Sequence, residues 1–151
     1  MTRGAGSETA GLTQRQTQIE IPTSGPGFTD ITRRIASWLS DIDAAQGLLT
    51  LFVRHTSASL TIQENADPAV LEDLMTAFDR FAPRNAGYRH SSEGPDDMPS
   101  HIKSMITSTS LTIPVANGEV LLGTWQAVYL IEHRDRPRSR TLVLHYQGTC
   151  A

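Results

Sequence analysis

The fold class follows from Leu48-Leu49-Thr50-Leu51-Phe52-Val53-Arg54-His55, a run that is apolar on both faces of an extended chain. Such a run is typical of a central strand that is covered on both sides. Gly47 opens the run, and a second strand, Ala58-Ser59-Leu60-Thr61-Ile62-Gln63, follows almost at once. The two segments predict a buried sheet in the middle of the chain.

Helix and strand signals extend outward from this centre in both directions. On the N-terminal side, Thr17–Ile21 alternates as a strand, and Asp30 is a candidate cap for a helix. On the C-terminal side, Asp67 and Pro68 mark the start of a second helix, since proline is well tolerated at the first helical position. The residues expected on the buried faces of these two helices are Ile31, Ile35, Trp38, Leu39 and Ile42, then Val70, Leu71, Leu74, Phe78 and Phe81.

The last third of the chain consists mainly of predicted strands. A short helix precedes them and is expected to bury Ile102, Met105 and Ile106. Strands are then expected from Leu111 to Tyr146, including a long one over Thr124–Glu132. Interleaved early elements followed by strands predict a compact single α+β domain, with a mixed β-sheet or sandwich and two to three helices. The domain is expected over residues 15–151, after a disordered leader at residues 1–14.

Composition excludes several classes of function. The chain has 151 residues, 38% of them hydrophobic and 19% charged, with a formal net charge of −3. An acidic balance argues against nucleic-acid binding through a basic surface. No apolar stretch approaches the roughly 20 residues that span a bilayer, and the N-terminus has no signal-peptide pattern. We therefore expect a cytoplasmic protein with no membrane or nucleic-acid partner, and we interpret the lone Cys150 as incidental.

The loop from His90 to His101 holds two histidines and three carboxylates within twelve residues. Imidazole nitrogens and carboxylate oxygens bind zinc and similar ions where no thiolate is present. Gly94-Pro95 bends the chain, so both histidines can reach one point. His90 and His101 are thus candidate metal ligands, and Glu93 or Asp97 a base or fourth ligand. Alternatively, the aspartates cap the following helix and the histidines are ordinary surface residues. Lys103 is expected on the open side of that helix.

Three further positions carry polar groups in unusual places. His55 ends the covered strand and, with Thr56 and Ser57, offers an imidazole and hydroxyls in a tight bend; a hydrogen-bonded core histidine is the alternative. Gln126 lies on a buried strand and is a candidate pocket residue. The arginines at positions 134, 136, 138 and 140 alternate, a geometry suited to phosphate, although a solvated hairpin gives the same pattern.

Four separated motifs resemble the YjbQ-like family in sequence and in order. They are His55-Thr56-Ser57-Ala58-Ser59-Leu60, Asn65-Ala66-Asp67-Pro68, the block Glu93–Lys103, and Gly123-Thr124-Trp125-Gln126. The resemblance covers roughly residues 17–148. It implies an α+β fold assembled as a homotrimer, with His55, His90, His101 and Gln126 in one site near subunit contacts.

The resemblance also implies a reaction, since members of this family are catalogued as secondary thiamine-phosphate synthases. That transferase joins a pyrimidine diphosphate to a thiazole phosphate and releases pyrophosphate, so cations must face the diphosphate. Lys103, Arg134 and Arg140, with a divalent metal such as zinc, are the candidates. The first hypothesis is thus a metal-assisted enzyme acting on a phosphorylated small molecule, in which His90, His101 and His55 are the candidate ligands of the ion. A non-enzymatic metal- or anion-binding module is the alternative, and a metal-free acid–base site stays open.

Overall fold

Two antiparallel sheets and three helices form in residues 11–151, the part of the chain that the computed structural model describes. The strands, in chain order, are β1 (Thr13–Thr23), β2 (Gly27–Asp30), β3 (Ala44–Val53), β4 (Ala58–Glu64), β5 (Ser110–Ala116), β6 (Glu119–Val120), β7 (Gln126–Glu132) and β8 (Arg138–Cys150). The helices are α1 (Thr32–Asp41), α2 (Pro68–Phe81) and α3 (Asp97–Ile106). The expected leader lies outside the described residues up to position 10, and its last two positions already belong to β1.

One sheet has five strands in the order β1-β8-β3-β5-β6, and the other has three in the order β2-β7-β4. All strand pairs found in the described part of the chain are antiparallel. The mixture of parallel and antiparallel strands that was expected is therefore not found there. Both sheets and α1 contribute to a single hydrophobic core. The α+β class and the sandwich are confirmed.

The central strand β3 is covered on one face, not on both as its sequence predicts. Leu49, Leu51 and Val53 are buried in the core. Leu48 and Phe52 point the other way and are each 46% exposed. The outer face of the five-stranded sheet therefore carries apolar side chains that the described residues leave nearly half exposed.

Local signals predict the start of α2, whereas the N-cap of α1 is Ile31 and not the expected Asp30. Helix α2 buries fewer of its expected residues. Asp67 accepts a hydrogen bond from the Ala69 backbone N–H at 2.9 Å and caps α2, with Pro68 at its first position. Phe78 is buried in this helix, whereas Phe81, expected inside, is 70% exposed. No helix in residues 11–151 is long and apolar enough to cross a membrane.

Helix α3 turns its polar side inward, contrary to expectation. Its buried residues are Asp97, Pro99, Ser100 and Lys103. Met105 is 79% exposed and Ile106 is 48% exposed. The inversion has a polar cause: Ser100 donates to the His133 carbonyl at 2.8 Å, and Asp97 accepts from Arg134 at 2.6 Å. Both partners lie just beyond the end of β7, so α3 is oriented by hydrogen bonds and ion pairs.

Candidate functional site

A bend at Gly94-Pro95 brings the two ends of the loop together. Gly94 has φ +105°, a conformation that favours glycine, and a Cβ there would lie 3.0 Å from an Asp96 carboxylate oxygen. The rings of His90 and His101 meet with centroids 5.4 Å apart. The bend thus brings His90, at the start of the loop, close to His101 in α3.

Asp97, the first residue of α3, lies between the two histidines. Its Oδ2 is 2.6 Å from Nε2 of His90 and 3.3 Å from Nε2 of His101. The Asp97 side chain is only 3% exposed, whereas those of His90 and His101 are 46% and 34% exposed. Glu93 lies at the rim, with its Oε2 3.7 Å from His90 Nε2. One buried carboxylate oxygen therefore faces two imidazoles that remain open to solvent.

Arg134 fixes this loop with all three of its guanidinium nitrogens. Nε donates to Asp96 at 2.9 Å, Nη1 to Asp97 at 2.6 Å and Nη2 to the Glu93 carbonyl at 2.9 Å. Neither aspartate caps α3 through a side-chain hydrogen bond, so the simple capping alternative does not describe them. The Asp97 Oδ1 is held by Arg134, which leaves Oδ2 to the histidines.

The charges around Asp97 keep it ionised. Burial would raise its pKa, but hydrogen bonding to His90 and Glu93 and the positive charge of Arg134 outweigh burial and hold the pKa below its ordinary value. The pKa of Asp96 is lowered as well: burial opposes the shift, but hydrogen bonds from the Asp135 backbone and from Arg134 outweigh it. The site therefore offers an anionic oxygen at neutral pH.

The donor set fits a divalent metal ion. The ligand atoms of His90, Asp97 and His101 lie within 4.8 Å of one another. Tetrahedral zinc, with bonds of about 2.0–2.1 Å, needs ligand atoms about 3.4 Å apart, so shifts on the order of 1 Å would close the site. Two histidines with one carboxylate form the ligand set of several catalytic metal centres.

His55 stands apart from this group. It follows β3 and lines a separate cavity of about 460 Å³ together with Thr56 and Ser57. Its Nε2 accepts a hydrogen bond from the Thr141 backbone N–H at 2.8 Å, so the proton of the neutral ring is on Nδ1. Burial, with a contribution from nearby Arg140, lowers the pKa of His55. His55 is not among the residues that the structure gathers as a possible metal group.

The three cations assigned to phosphate are all paired within the chain. Lys103 is buried, not on the open side as expected, and donates to Asp79 at 3.2 Å. Arg134 is held by Asp96 and Asp97, as described above. Arg140 is buried and donates from Nε to Glu132 at 2.7 Å, while its Nη2 reaches the Ser57 hydroxyl at 2.9 Å.

Gln126 lies at the far end of β7 from the histidines. Its Oε1 accepts from the Gly123 backbone N–H at 2.7 Å and closes an exposed turn. At about 3.3 Å per residue, Gln126 and Glu132 are roughly 20 Å apart along the strand. Arg134, which contacts Asp97, lies beyond the other end of that strand. Within one chain, therefore, Gln126 does not join His90 and His101.

Two polar clusters emerge that the sequence did not assign to a site. Asp96 is a second anchor for Arg134 and also accepts from the Asp135 backbone N–H at 2.9 Å. His133 is buried, with Nε2 2.8 Å from the Ser59 hydroxyl. The signal for the first was available, since Asp96 adjoins Asp97 in the same loop. Nothing local marks the pairing of residues 59 and 133.

Comparisons with known proteins agree on one family. Residues 17–149 match the family model described as UPF0047 protein YjbQ-like. A UPF0047 protein of Synechocystis sp. is 48% identical over 143 residues, covering 94% of this chain and 97% of the relative. YjbQ of Escherichia coli is 44% identical over 134 residues, covering 88% and 97%.

Solved structures give the same result. An uncharacterised conserved protein of the YjbQ/UPF0047 family from Clostridium acetobutylicum superimposes with a TM-score of 0.77 at 35% identity, covering 84% of this chain and 97% of that one. A conserved hypothetical protein from Thermus thermophilus does so with a TM-score of 0.74 at 38% identity and the same coverage. The family expected from the four motifs is confirmed: the chain belongs to the YjbQ-like UPF0047 family.

Proposed function

We propose that this protein is a metal-assisted enzyme of the cytoplasm that acts on a phosphorylated small molecule. The observation that carries the proposal is the position of Asp97, whose buried carboxylate oxygen lies 2.6 Å from His90 and 3.3 Å from His101. His90, His101 and Asp97 would hold the ion, zinc being the expected one, and Glu93 is close enough to serve as a fourth ligand or as a base. When bound, a divalent ion would supply a Lewis acid and positive charge for phosphate oxygens.

The specific reaction follows from the family resemblance. It is transfer of the thiamine-phosphate synthase type, with release of pyrophosphate. Lys103, Arg134 and Arg140 support this reaction less well than the sequence suggested, because each already pairs with a carboxylate of the chain. His55, Thr56 and Ser57 line a second cavity and would belong to the site only if a neighbouring subunit brought them to it.

Exposure separates the enzyme from its alternative, a non-enzymatic binding module. Structural zinc sites are closed by four protein ligands, whereas catalytic sites keep one position open. In residues 11–151 the candidate metal site has three ligands, His90, Asp97 and His101. The side chains of His90 and His101 are 46% and 34% exposed. If Glu93 acts as the base and not as a fourth ligand, one position stays open, which favours an enzyme. Turnover by protein that contains no metal would favour the metal-free acid–base site.

His90→Ala and His101→Ala are each expected to abolish metal binding without unfolding the protein, because each removes one of three ligands. Elemental analysis of untagged protein, purified without chelators, measures the metal; circular dichroism checks the fold. The same samples are assayed for pyrophosphate release from a pyrimidine diphosphate and a thiazole phosphate, which is expected only from metal-loaded wild type.

His145→Ala is the matched control, since His145 lies on the five-stranded sheet and hydrogen-bonds to Gln14 and Gln16. Its metal content should equal that of wild type. Metal retained by His101→Ala, or lost equally from His145→Ala, would disprove the assignment of the ligands. Metal binding without any turnover would favour the binding module.

The protein is further proposed to assemble as a homotrimer, with the site near subunit contacts. The exposed apolar side chains of α3, Met105 and Ile106, support an interface, since a monomer gains nothing by leaving them in water.

We expect light scattering to give about three times the mass of the 16.5 kDa chain. Met105→Glu is expected to lower that mass, while Arg33→Glu, on an exposed part of α1, is not. A monomeric wild type would refute the trimer.

A further inference from the structure

The four alternating arginines, two in the β7–β8 connection and two in β8, fall into two classes. Arg134 and Arg140 are engaged by carboxylates, as described above. Arg136 and Arg138 are exposed and have no side-chain hydrogen bond or ion pair to any residue of the described range 11–151. An arginine has five N–H donors in a rigid fork that suits phosphate or carboxylate oxygens. Two such forks are therefore available next to one another.

Both unpaired arginines line the same cavity. It has a volume of about 450 Å³ and lies between residues 134–138 and the loop that carries Glu93, Gly94 and Asp96. Small-molecule sites occupy ~300–1,000 Å³, so the cavity can accept a ligand of that class. Its walls are held in place by Arg134, which ties the connection to the loop.

Three arginines and three carboxylates line this cavity, and Arg136 and Arg138 are the arginines without a carboxylate partner in residues 11–151. Asp96 pairs with Arg134, which it shares with Asp97, and Asp135 pairs with Arg84, whose Nη1 donates to it at 2.8 Å. Glu93 is the carboxylate of the lining that no arginine pairs with, and its Oε2 lies 3.7 Å from Nε2 of His90. Two guanidinium groups thus face one rim carboxylate, which makes the cavity attractive to an anion.

The cavity is distinct from the space next to the histidines. His90 lines another cavity, of about 320 Å³, together with Tyr88. The two cavities share Gly94 and Pro95 and lie on either side of that bend. An anion held by the arginines is therefore separated from the histidine group by the bend.

We infer that Arg136 and Arg138 form a phosphate-binding subsite, which holds a phosphate monoester of the substrate at a distance from the reacting atoms. The inference rests on the proposed function and refines it: the phosphate serves as a handle, and the chemistry takes place on the histidine side of the bend. Arg136 and Arg138 replace Arg134 and Arg140 as the arginines that contact this phosphate.

Inorganic phosphate is the probe, titrated into the full-length protein by calorimetry at low ionic strength. In Arg136→Gln/Arg138→Gln, phosphate is expected to bind about tenfold more weakly or worse, because charge-assisted hydrogen bonds are lost. Arg33→Gln/Arg80→Gln is the matched control, since it removes two exposed arginines of α1 and α2; its affinity should stay within about twofold of wild type.

Two outcomes would overturn the inference: phosphate affinity unchanged in the Arg136/Arg138 double variant, or no phosphate binding by wild type.

The variant His101→Ala separates this subsite from the metal centre. We expect it to bind phosphate as wild type does, because the subsite contains no histidine. Loss of phosphate binding in His101→Ala would refute a separate subsite. If wild type bound no metal yet bound phosphate through these arginines, the proposed function would fail and the subsite would stand.

Discussion

Arg140→Leu is expected to lower the free energy of unfolding by about 3–5 kcal/mol, the cost of leaving a buried charge without its partner. The side chains of Arg140 and Glu132 are 4% and 1% exposed. Glu132 also accepts from the Thr23 hydroxyl at 2.7 Å, so four segments meet at this carboxylate and its guanidinium. Urea unfolding at neutral pH measures the loss.

A second ion pair of the same chemistry provides the control. Arg84 and Asp135 are 45% and 44% exposed, and exposed pairs contribute about 0–1 kcal/mol. Arg84→Leu should therefore unfold at nearly the wild-type urea concentration. Glu132→Leu/Arg140→Leu should recover part of the stability lost in Arg140→Leu, since it removes both buried charges. Similar losses from Arg84→Leu and Arg140→Leu would show that burial does not set the strength of these pairs.

His133→Phe is expected to flatten the dependence of stability on pH between about 6.5 and 4.5. Burial, reinforced by the positive charge of Lys103, lowers the pKa of His133 to about 3. In the unfolded chain a histidine has a pKa of about 6.5, so the unfolded state binds a proton first and stability falls as the pH falls below 6.5. At up to about 1.4 kcal/mol per pH unit, wild type should lose about 2 kcal/mol more than His133→Phe over this range.

The substitution keeps an aromatic ring in the same place. The His133 ring packs edge-on against Phe78, with centroids 5.7 Å apart. Urea unfolding at several pH values gives both slopes. Ser59→Ala is the control: it removes the hydrogen bond to Nε2 but leaves the ring buried, so the slope should persist at lower stability. Parallel curves for wild type and His133→Phe would mean that His133 is not held neutral by burial.

The sequence predicted those features that depend on neighbouring residues. Asp67 and Pro68 determined the start of α2 because capping involves only the first helical turn. Gly94 allowed the bend that joins the histidines, since its positive φ is a local property. Features set by distant residues were missed. Helical spacing places Met105 on the buried face of α3. It cannot reveal that Arg134 and the His133 carbonyl bind the polar side of α3 and turn that side inward.

The candidate site shows the same division. His90, Asp97 and His101 lie within twelve residues, so residue type and a turn signal were enough to group them. Gln126 was predicted from a motif and Arg140 from the alternation of arginines. A motif does not indicate how far apart two residues lie along a strand, and alternation does not indicate whether a carboxylate lies opposite. The partners of Arg140 in particular, Glu132 and Ser57, become neighbours only when the two sheets pack.

The three hydrogen bonds of Arg134 affect how any ligand is bound. They order the loop from Glu93 to Asp97 during folding, so that association with a ligand does not have to include the entropy of arranging it. A ligand site built on this loop would be preorganised, and it would empty and refill without passing through an unfolded state, unlike small domains that fold around their ion.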